Sequence, residues 1–451
     1  MIEVRECLRQ MGYETVNAEF YEKIKFWESW YRGNVDAFHS YRQYNGIKSV
    51  KMNRMKLGLA KKICEDKADL LLNEKVEINI SDPKTKDYVE NVLFENNFDA
   101  VSNRMIELSS ALGTGAFVEI VKDSKIEIDA VSAERIFPIS WDNNEIKECA
   151  FASSIFKGGV EYIYLNIHVL DNGLYTIKNR FFTRDGKGGF ENAEFDGIEK
   201  DIPTGSRKPF FQIIRPNTIN SEDFCSPMGM SVFAGAIDVL KGIDIIYDSF
   251  INEFILGKKR IFIDPSVVQV IVDEKSGRTT QRFDTNDIAF YGLSGLQENK
   301  NVIEEINMEL RIDEHIKAIN SSLDMLSAKC GFGKSYYSLE RSGLKTATEV
   351  ISRNSDLFRR IKKDEIILDK VLKDMVRAIL YLANNFLGKR LCADCDISIN
   401  FDDSIIEDKA AKRRQALIER NAGLIDDIHY FMETRAMTKE QAEEFVMQMK
   451  R

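Results

Sequence analysis

The stretch from Thr346 to Gly388 constrains this chain more than any other. Thr346-Ala-Thr-Glu349 fits a capping box, in which a threonine hydroxyl and a glutamate carboxylate satisfy exposed amides at a helix start. Val350, Ile351, Phe358, Ile361, Ile367, Leu368, Val371, Leu372, Met375, Ile379, Leu382 and Phe386 then keep three- and four-residue steps until Gly388 stops them. A helix of about 41 residues is about 60 Å long. That is longer than most single domains are wide, so such a helix crosses an assembly or links layers.

Around it, 451 residues suggest about three folding units, and 44% apolar residues supply their cores. Seven prolines, 26 glycines and 30% charged residues exclude disordered, collagen-like and low-complexity chains. Lys plus Arg number 63 against 72 Asp plus Glu, and the net charge of −9 argues against whole-surface nucleic-acid binding. Local basic loops stay open. Seven scattered cysteines suit a reducing compartment. Charges run through the N-terminal segment where a secretory signal needs an apolar run. No stretch reaches the ~18 apolar residues of a membrane span. The expectation is a soluble intracellular protein without a membrane partner.

Residues 1 to about 75 read as helical, with Leu57 to Leu72 burying one face. Glu77–Ile80 alternates like a strand, Asp82-Pro83 punctuates, and Thr85 to Asn96 returns to helix. From Gly113 to about Phe211 the texture is β: Ala116–Val121, Lys125–Ile128, Tyr162–Leu170 and Tyr175–Lys178, with turns at Asp171-Asn-Gly173 and Asp185–Gly189. Met228 to Leu256 reads as one helix, interrupted by Asp238, Lys241, Asp244, Asp248 and Glu253. A β-rich insert follows, with Arg260–Ile263, Val267–Val272, a turn at Glu274–Gly277 and Asp287–Tyr291, and helical spacing returns from Ile312 to about Lys329. After the long helix, Asp396–Phe401 alternates like a strand and 405–449 reads as short charged helices. There is no internal repeat. The fold class expected is α+β.

Motifs that would carry enzyme chemistry are weak. Ala328-Lys-Cys-Gly-Phe-Gly-Lys-Ser335 approximates a phosphate loop, but a helix precedes it where a strand is required. Cys392-Ala-Asp-Cys395 is a lone CxxC with only His429 nearby, short of a zinc set. Asp394, Asp396, Asp402, Asp403, Glu407 and Asp408 could hold divalent cations in a nuclease, yet no His or Lys completes that constellation. Four histidines, His39, His168, His315 and His429, come without a nucleophile elbow. Trp27, Trp30, Tyr31, Tyr41 and Tyr44 form an aromatic cluster that reads as packing before base stacking. No catalytic residue, metal or cofactor is expected.

The order of elements resembles the portal proteins of tailed bacteriophages, in the Gp6-like or minor capsid branch. Trp30-Tyr-Arg-Gly33, Leu57 to Asp66 with Leu71-Leu-Asn-Glu74, Leu310-Arg311, Gly331-Phe-Gly333 and above all Lys345-Thr-Ala-Thr-Glu-Val350 carry the resemblance, which covers nearly the whole chain. It implies a ring, usually of twelve subunits, at one vertex of a virion capsid, assembled in the host cytoplasm. Double-stranded DNA passes through such rings non-specifically during packaging and ejection. The implied partners are the terminase large subunit, a head-tail connector or adaptor protein, and major capsid and scaffold proteins. The implied divisions are an α+β wing at 1–226, a stem helix at 227–257, a β-rich clip at 258–311 and a second stem helix at 312–330. A tunnel loop at 331–345, the long wing and tunnel helix at 346–388, a wing strand at 389–403 and a helical crown at 404–451 complete them.

A conduit that lets DNA slide both ways must not grip phosphates, because each neutralised phosphate adds salt-dependent affinity. Asp238, Asp244, Asp248 and Glu253 are therefore expected to make the stem channel electronegative, although helical spacing cannot place all four on one face. Lys334, Arg341 and Lys345 are expected to give sparse tunnel-loop contacts to the DNA backbone. Two rivals stand beside this reading: a metal-dependent nuclease using the 394–408 acids, and another oligomeric virion protein without a channel.

Overall fold

The computed structural model describes residues 2–72, 76–184, 189–195, 197–263, 270–272, 279–281, 290–292, 303–339, 347–401, 409–435, 442–443 and 445–447. Arg341, Lys345, the Thr346 cap, the turns at 185–188 and 274–277, and Asp402, Asp403, Glu407 and Asp408 lie outside these residues.

The described part of the N-terminal quarter is mostly helical. Helices α1 (Ile2–Gln10), α2 (Ala18–Tyr31) and the short α3 (Asp36–His39) lead into a hairpin of β1 (Ser40–Tyr44) and β2 (Ser49–Asn53), where the sequence reading expected helix. Asn45 explains the turn: its side-chain oxygen accepts from the amides of Ile47 and Lys48, a local bond that competes with helix. After α4 (Leu59–Leu71) and β3 (Glu77–Ile80), helix α5 (Pro83–Glu95) starts as Asp82 and Pro83 predict. The Asp82 carboxylate caps the Thr85 amide at 2.9 Å, and proline occupies the first turn, where no amide is needed.

Helix α6 (Phe98–Leu112) then enters the β region. Strands β4 (Gly115–Lys122) and β5 (Lys125–Ser132) pair, and β6 (Ile136–Asp142), β7 (Glu145–Lys157), β8 (Val160–Asp171) and β9 (Leu174–Arg184) form a continuous antiparallel meander. Four two-residue turns build both sheets: Asp123-Ser124, Asn143-Asn144, Gly158-Gly159 and Asn172-Gly173 each hold both residues at positive φ. That twist matches the right-handed twist of the strands, and glycine, Asn and Asp are the residues that tolerate it best. Short strands β10 (Phe190–Ala193) and β11 (Asp201–Pro203) both pair with β9, while β12 (Phe211–Ile214) pairs with β4.

The helix expected from Met228 starts later, as α7 (Ile237–Leu256). Residues before it pack instead against the end of α6: the Val232 amide donates to the Ser110 carbonyl and the Gly229 amide to the Thr114 hydroxyl, both at 2.9 Å. Gly113 and Gly229 permit this approach, since a Cβ on Gly229 would fall 2.1 Å from the Gly113 oxygen. Beyond α7, the β-rich insert contains β13 (Arg260–Ile263), β14 (Val270–Val272), β15 (Thr279–Gln281), β16 (Phe290–Gly292) and β17 (Ile303–Ile306), and α8 (Ile312–Cys330) returns.

Helix α9 (Ala347–Asn385) has 39 residues, and Gly388 follows it at a φ of 63°. Its second half buries Leu368, Val371, Leu372, Met375, Val376, Ile379 and Leu380 in the one large core that also takes in α2, α4, α6 and the sheets. Strand β18 (Ile397–Asn400) pairs with β3, joining residues more than 300 apart in sequence. Helices α10 (Lys409–Asn421) and α11 (Asp427–Arg435) follow, and Phe431, Ala442 and Val446 form a separate small core. The protein is α+β.

One polar group lies inside the β4–β12 sheet. Glu119 is fully buried, its carboxylate accepts from the Gln212 amide at 3.1 Å, and burial pushes its carboxyl from 4.5 up to about 8. Between those two values the folded state holds a proton that the unfolded state releases, so stability falls as pH rises through that window. Urea midpoints measured across it should show this slope, and Glu119→Gln should flatten it; an unchanged slope would assign the effect elsewhere.

Candidate functional site

Helices α7 and α8 lie side by side because each has one apolar stripe: Leu240 and Ile243 on α7, Ile319, Leu323 and Leu326 on α8, all buried. Near the C-terminal end of α7, Glu253 holds Arg311 through the guanidinium Nε at 2.9 Å and lies 3.6 Å from His315 Nε2 of α8. The Arg311 hydrogen bond, first, and the His315 contact hold the Glu253 carboxyl below its usual range. The strands between the helices form a small module in which β13 runs parallel to β16 and antiparallel to β17, with β14–β15 as a separate antiparallel pair. Among the described residues no helix is long and apolar enough to cross a membrane.

The four acids expected to line a channel are not equivalent. Asp238 is exposed and pairs with Lys241 at 3.2 Å. Asp244 is only 6% exposed; it accepts from the Leu57 amide at 3.0 Å and meets His39 Nε2 at 3.2 Å. Asp248 accepts from the Met55 amide at 2.8 Å, and Glu253 is engaged by Arg311. Asp244 thus faces the chain's own interior. The cause is the segment after β2, which runs along α7 with backbone amides that no strand pairs, so the α7 carboxylates satisfy them.

The first half of the 331–345 loop is a structured cap on α8. Gly331 takes a φ of 82°, the Phe332 amide donates to the Ser327 carbonyl at 2.9 Å, and the Tyr337 amide donates to the Ser327 hydroxyl at 3.2 Å. The Tyr337 hydroxyl donates to Asp66 of α4 at 2.9 Å, and the Leu339 amide to Asn320 of α8 at 2.9 Å. Phe332 is buried against the rings of Tyr336 and Tyr337. Burial, reinforced by Asp66, drives the Tyr337 hydroxyl well above its ordinary range. Ala328–Ser335 is thus a helix terminus and its turn, with no strand before it. Lys334 points into solvent from this turn.

Sequence reasoning passed over Lys67 and Asp364, which meet at 2.5 Å inside the core with 3% and 5% of their side chains exposed. The signal was present: Lys67 stands four residues after Ile63 and four before Leu71, on the apolar stripe of α4. Desolvation pushes the Lys67 ammonium below its usual range, and Asp364 opposes that shift. The other Asp364 oxygen accepts from the Asn217 amide at 2.9 Å, so one pair joins α4, α9 and the segment after β12.

The remaining candidates resolve into packing. Trp27 and Trp30 are buried, Tyr31 donates to Glu107 at 2.5 Å, and only Tyr44 of the aromatic cluster is largely exposed. The Cys395 thiol donates to the Cys392 carbonyl at 3.3 Å, which makes the CxxC a turn. His168 is buried and burial pushes its ring down to about 3, so it is neutral. Among the described residues no group of three His, Cys, Asp or Glu side chains is placed to hold a metal ion.

Removing Lys67 alone leaves a buried carboxylate uncompensated, so Lys67→Met should cost about 3–5 kcal/mol in urea unfolding. Combining it with Asp364→Asn, which keeps an acceptor for Asn217, should recover most of that loss. A double variant as unstable as the single one would show that the charges do not compensate each other.

Comparison with known proteins identifies a family. The family model of phage portal proteins of the SPP1 Gp6-like type matches residues 13–444. Among solved structures, the chain is similar to one in the neck of a native GTA particle computed with C12 symmetry, at 10% identity and a TM-score of 0.42, with 83% of this chain and 88% of that chain covered. No curated protein matches it in sequence. The family match begins between α1 and α2 and ends beyond α11, so the numbered elements from α2 to α11 fall within it, and the chain belongs to the SPP1 Gp6-like phage portal protein family.

Proposed function

We propose that this chain is one subunit of a portal ring, usually of twelve copies, that conducts double-stranded DNA at a capsid vertex of a virion. The observation that carries the reading is the family match over 13–444, to which the α7–β module–α8 excursion adds a shape suited to it. In this reading the wing is 1–226 with 389–403 and part of α9, the stem is 227–257 with 312–330, the clip is 258–311, and the crown is 404–451. The clip would meet the terminase large subunit during packaging and a head-tail connector or adaptor afterwards, with major capsid and scaffold proteins around the wing. The role needs position and geometry rather than bond chemistry.

DNA would slide because the wall offers few cations. Asp238, the most exposed of the stem acids and paired only with Lys241 on the surface of its own helix among the described residues, would do most to repel phosphates, with Asp248 and Glu253 partly committed and Asp244 internal. Lys334, together with Arg341 and Lys345, would supply the sparse contacts of the tunnel loop. A root clamped by Phe332, Tyr337 and Asp66 suits a loop that takes force from moving DNA.

Electron microscopy of the purified protein with mass measurement tests the assembly. Rings with a bore of about 20 Å or more, the width of a duplex, support the reading; a compact monomer that cleaves DNA with magnesium sinks it. Replacing Lys334, Arg341 and Lys345 together by Ala should leave rings intact and change DNA packaging or retention. Rings that fail to form would make the loop structural instead.

A further inference from the structure

The β1–β2 hairpin goes against two local rules of sheet stability. It is a two-stranded sheet by itself, and such a ribbon has little independent stability in water. From Ser40 to Lys56 it carries five basic residues and no acid, in a chain of net charge −9. Its register sets Arg42 directly opposite Lys51, and like charges in that position destabilise a hairpin. Arg54 and Lys56 are engaged by the carbonyls of Phe38 and Gly33. Arg42, Lys48 and Lys51 are exposed, and no acid pairs with them among the described residues.

The same hairpin holds Tyr44 at 68% exposure and Ile47 at 87%. A phosphate backbone would answer the charges and leave both apolar side chains in water. A protein surface with an apolar centre and an acidic rim answers both. The outer end of the α7–α8 pair has that character. Ile255, Leu256 and Met308 are exposed there, and Glu309, Asp313 and Glu314 are exposed along the adjoining chain. Leu310 beside Gly257 and Arg311 on Glu253 tie these two stretches together.

We propose that the β1–β2 hairpin is an inter-subunit arm, which docks on the acid-rimmed apolar end of the α7–α8 pair of a second copy of this chain. The proposal rests on the ring assembly above. Its base is fixed for the purpose: Asp244 and Asp248 of α7 hold the Leu57 and Met55 amides just after β2, so the ribbon leaves the body in a set direction.

The test is native mass spectrometry of the full chain across a dilution series. Wild-type protein should assemble, and Arg42→Glu/Lys51→Glu should weaken assembly by about tenfold or more. The milder Arg42→Gln/Lys51→Gln pair should also weaken assembly while leaving the melting temperature of the dilute monomer unchanged or higher, because it removes a repulsion; a lower monomer melting temperature would make the two cations structural and overturn the proposal. Adding Glu309→Lys/Glu314→Lys to the first variant should restore assembly. Rings unaffected by charge reversal would overturn the arm and leave the ring reading standing, as would assembly lost and not restored. Unchanged assembly with weakened binding of a short DNA duplex would make the hairpin a nucleic-acid contact instead. Wild-type protein that stays monomeric at every concentration would remove both readings.

Discussion

Lys67 and Asp364 meet where neither charge could stand alone, and the main body is arranged around that meeting. Taking an ammonium and a carboxylate out of water is tolerable only when each compensates the other and the remaining lone pairs find donors. Asp364 meets both conditions through Lys67 and the Asn217 amide. The pair sets where α9 lies against α4, and the apolar residues from Leu368 to Ala383 then pack on both helices and sheets. Apolar packing is non-directional and would accept several rotations of a long helix. A buried ion pair accepts one.

Next to this pair, α4 also holds the loop that follows α8. Asp66 is the neighbour of Lys67 in sequence, and it receives the Tyr337 hydroxyl while Lys62 pairs with it one turn earlier. One helix therefore fixes both the long helix and the loop proposed to face DNA. Movement of the loop relative to the body would have to break a hydrogen bond to a charged acceptor and expose Phe332, which argues for a stiff root. At the same time α7 uses its acids inward, toward the segment that carries the β1–β2 hairpin. Helix α7 and the segment that carries the hairpin are consequently tied together by two hydrogen bonds to carboxylates, although about 190 residues separate their contacts in sequence.

Much of this was legible in the sequence, for reasons that are local. The periodicity from Val350 to Phe386 and the glycine at 388 mark α9 because a helix repeats its environment every turn. Asp82-Pro83 and Asn172-Gly173 mark a helix start and a hairpin turn because each satisfies a backbone geometry by itself. The order of elements carries the family, and the family match follows that order through nearly the whole chain. The β1–β2 hairpin escaped because it lacks an apolar face of its own. The start of α7 was misplaced because an apolar run reads the same whether it is helical or packed against another backbone, as Gly229 is against Gly113.

What the sequence by itself determined is the succession of most helices and strands, the α+β class and the portal family, since all three depend on spacing along the chain. Only the tertiary structure decided what each charge does. Asp244 and Asp238 are the same residue type on one helix, six positions apart, yet one caps a backbone segment in the interior and the other stands in water. Their roles differ because long-range packing brings Leu57 and His39 to one, while among the described residues the other meets only Lys241 of its own helix. A carboxylate takes its function from the donors that folding places around it, and those donors come from distant parts of the chain that no local pattern records.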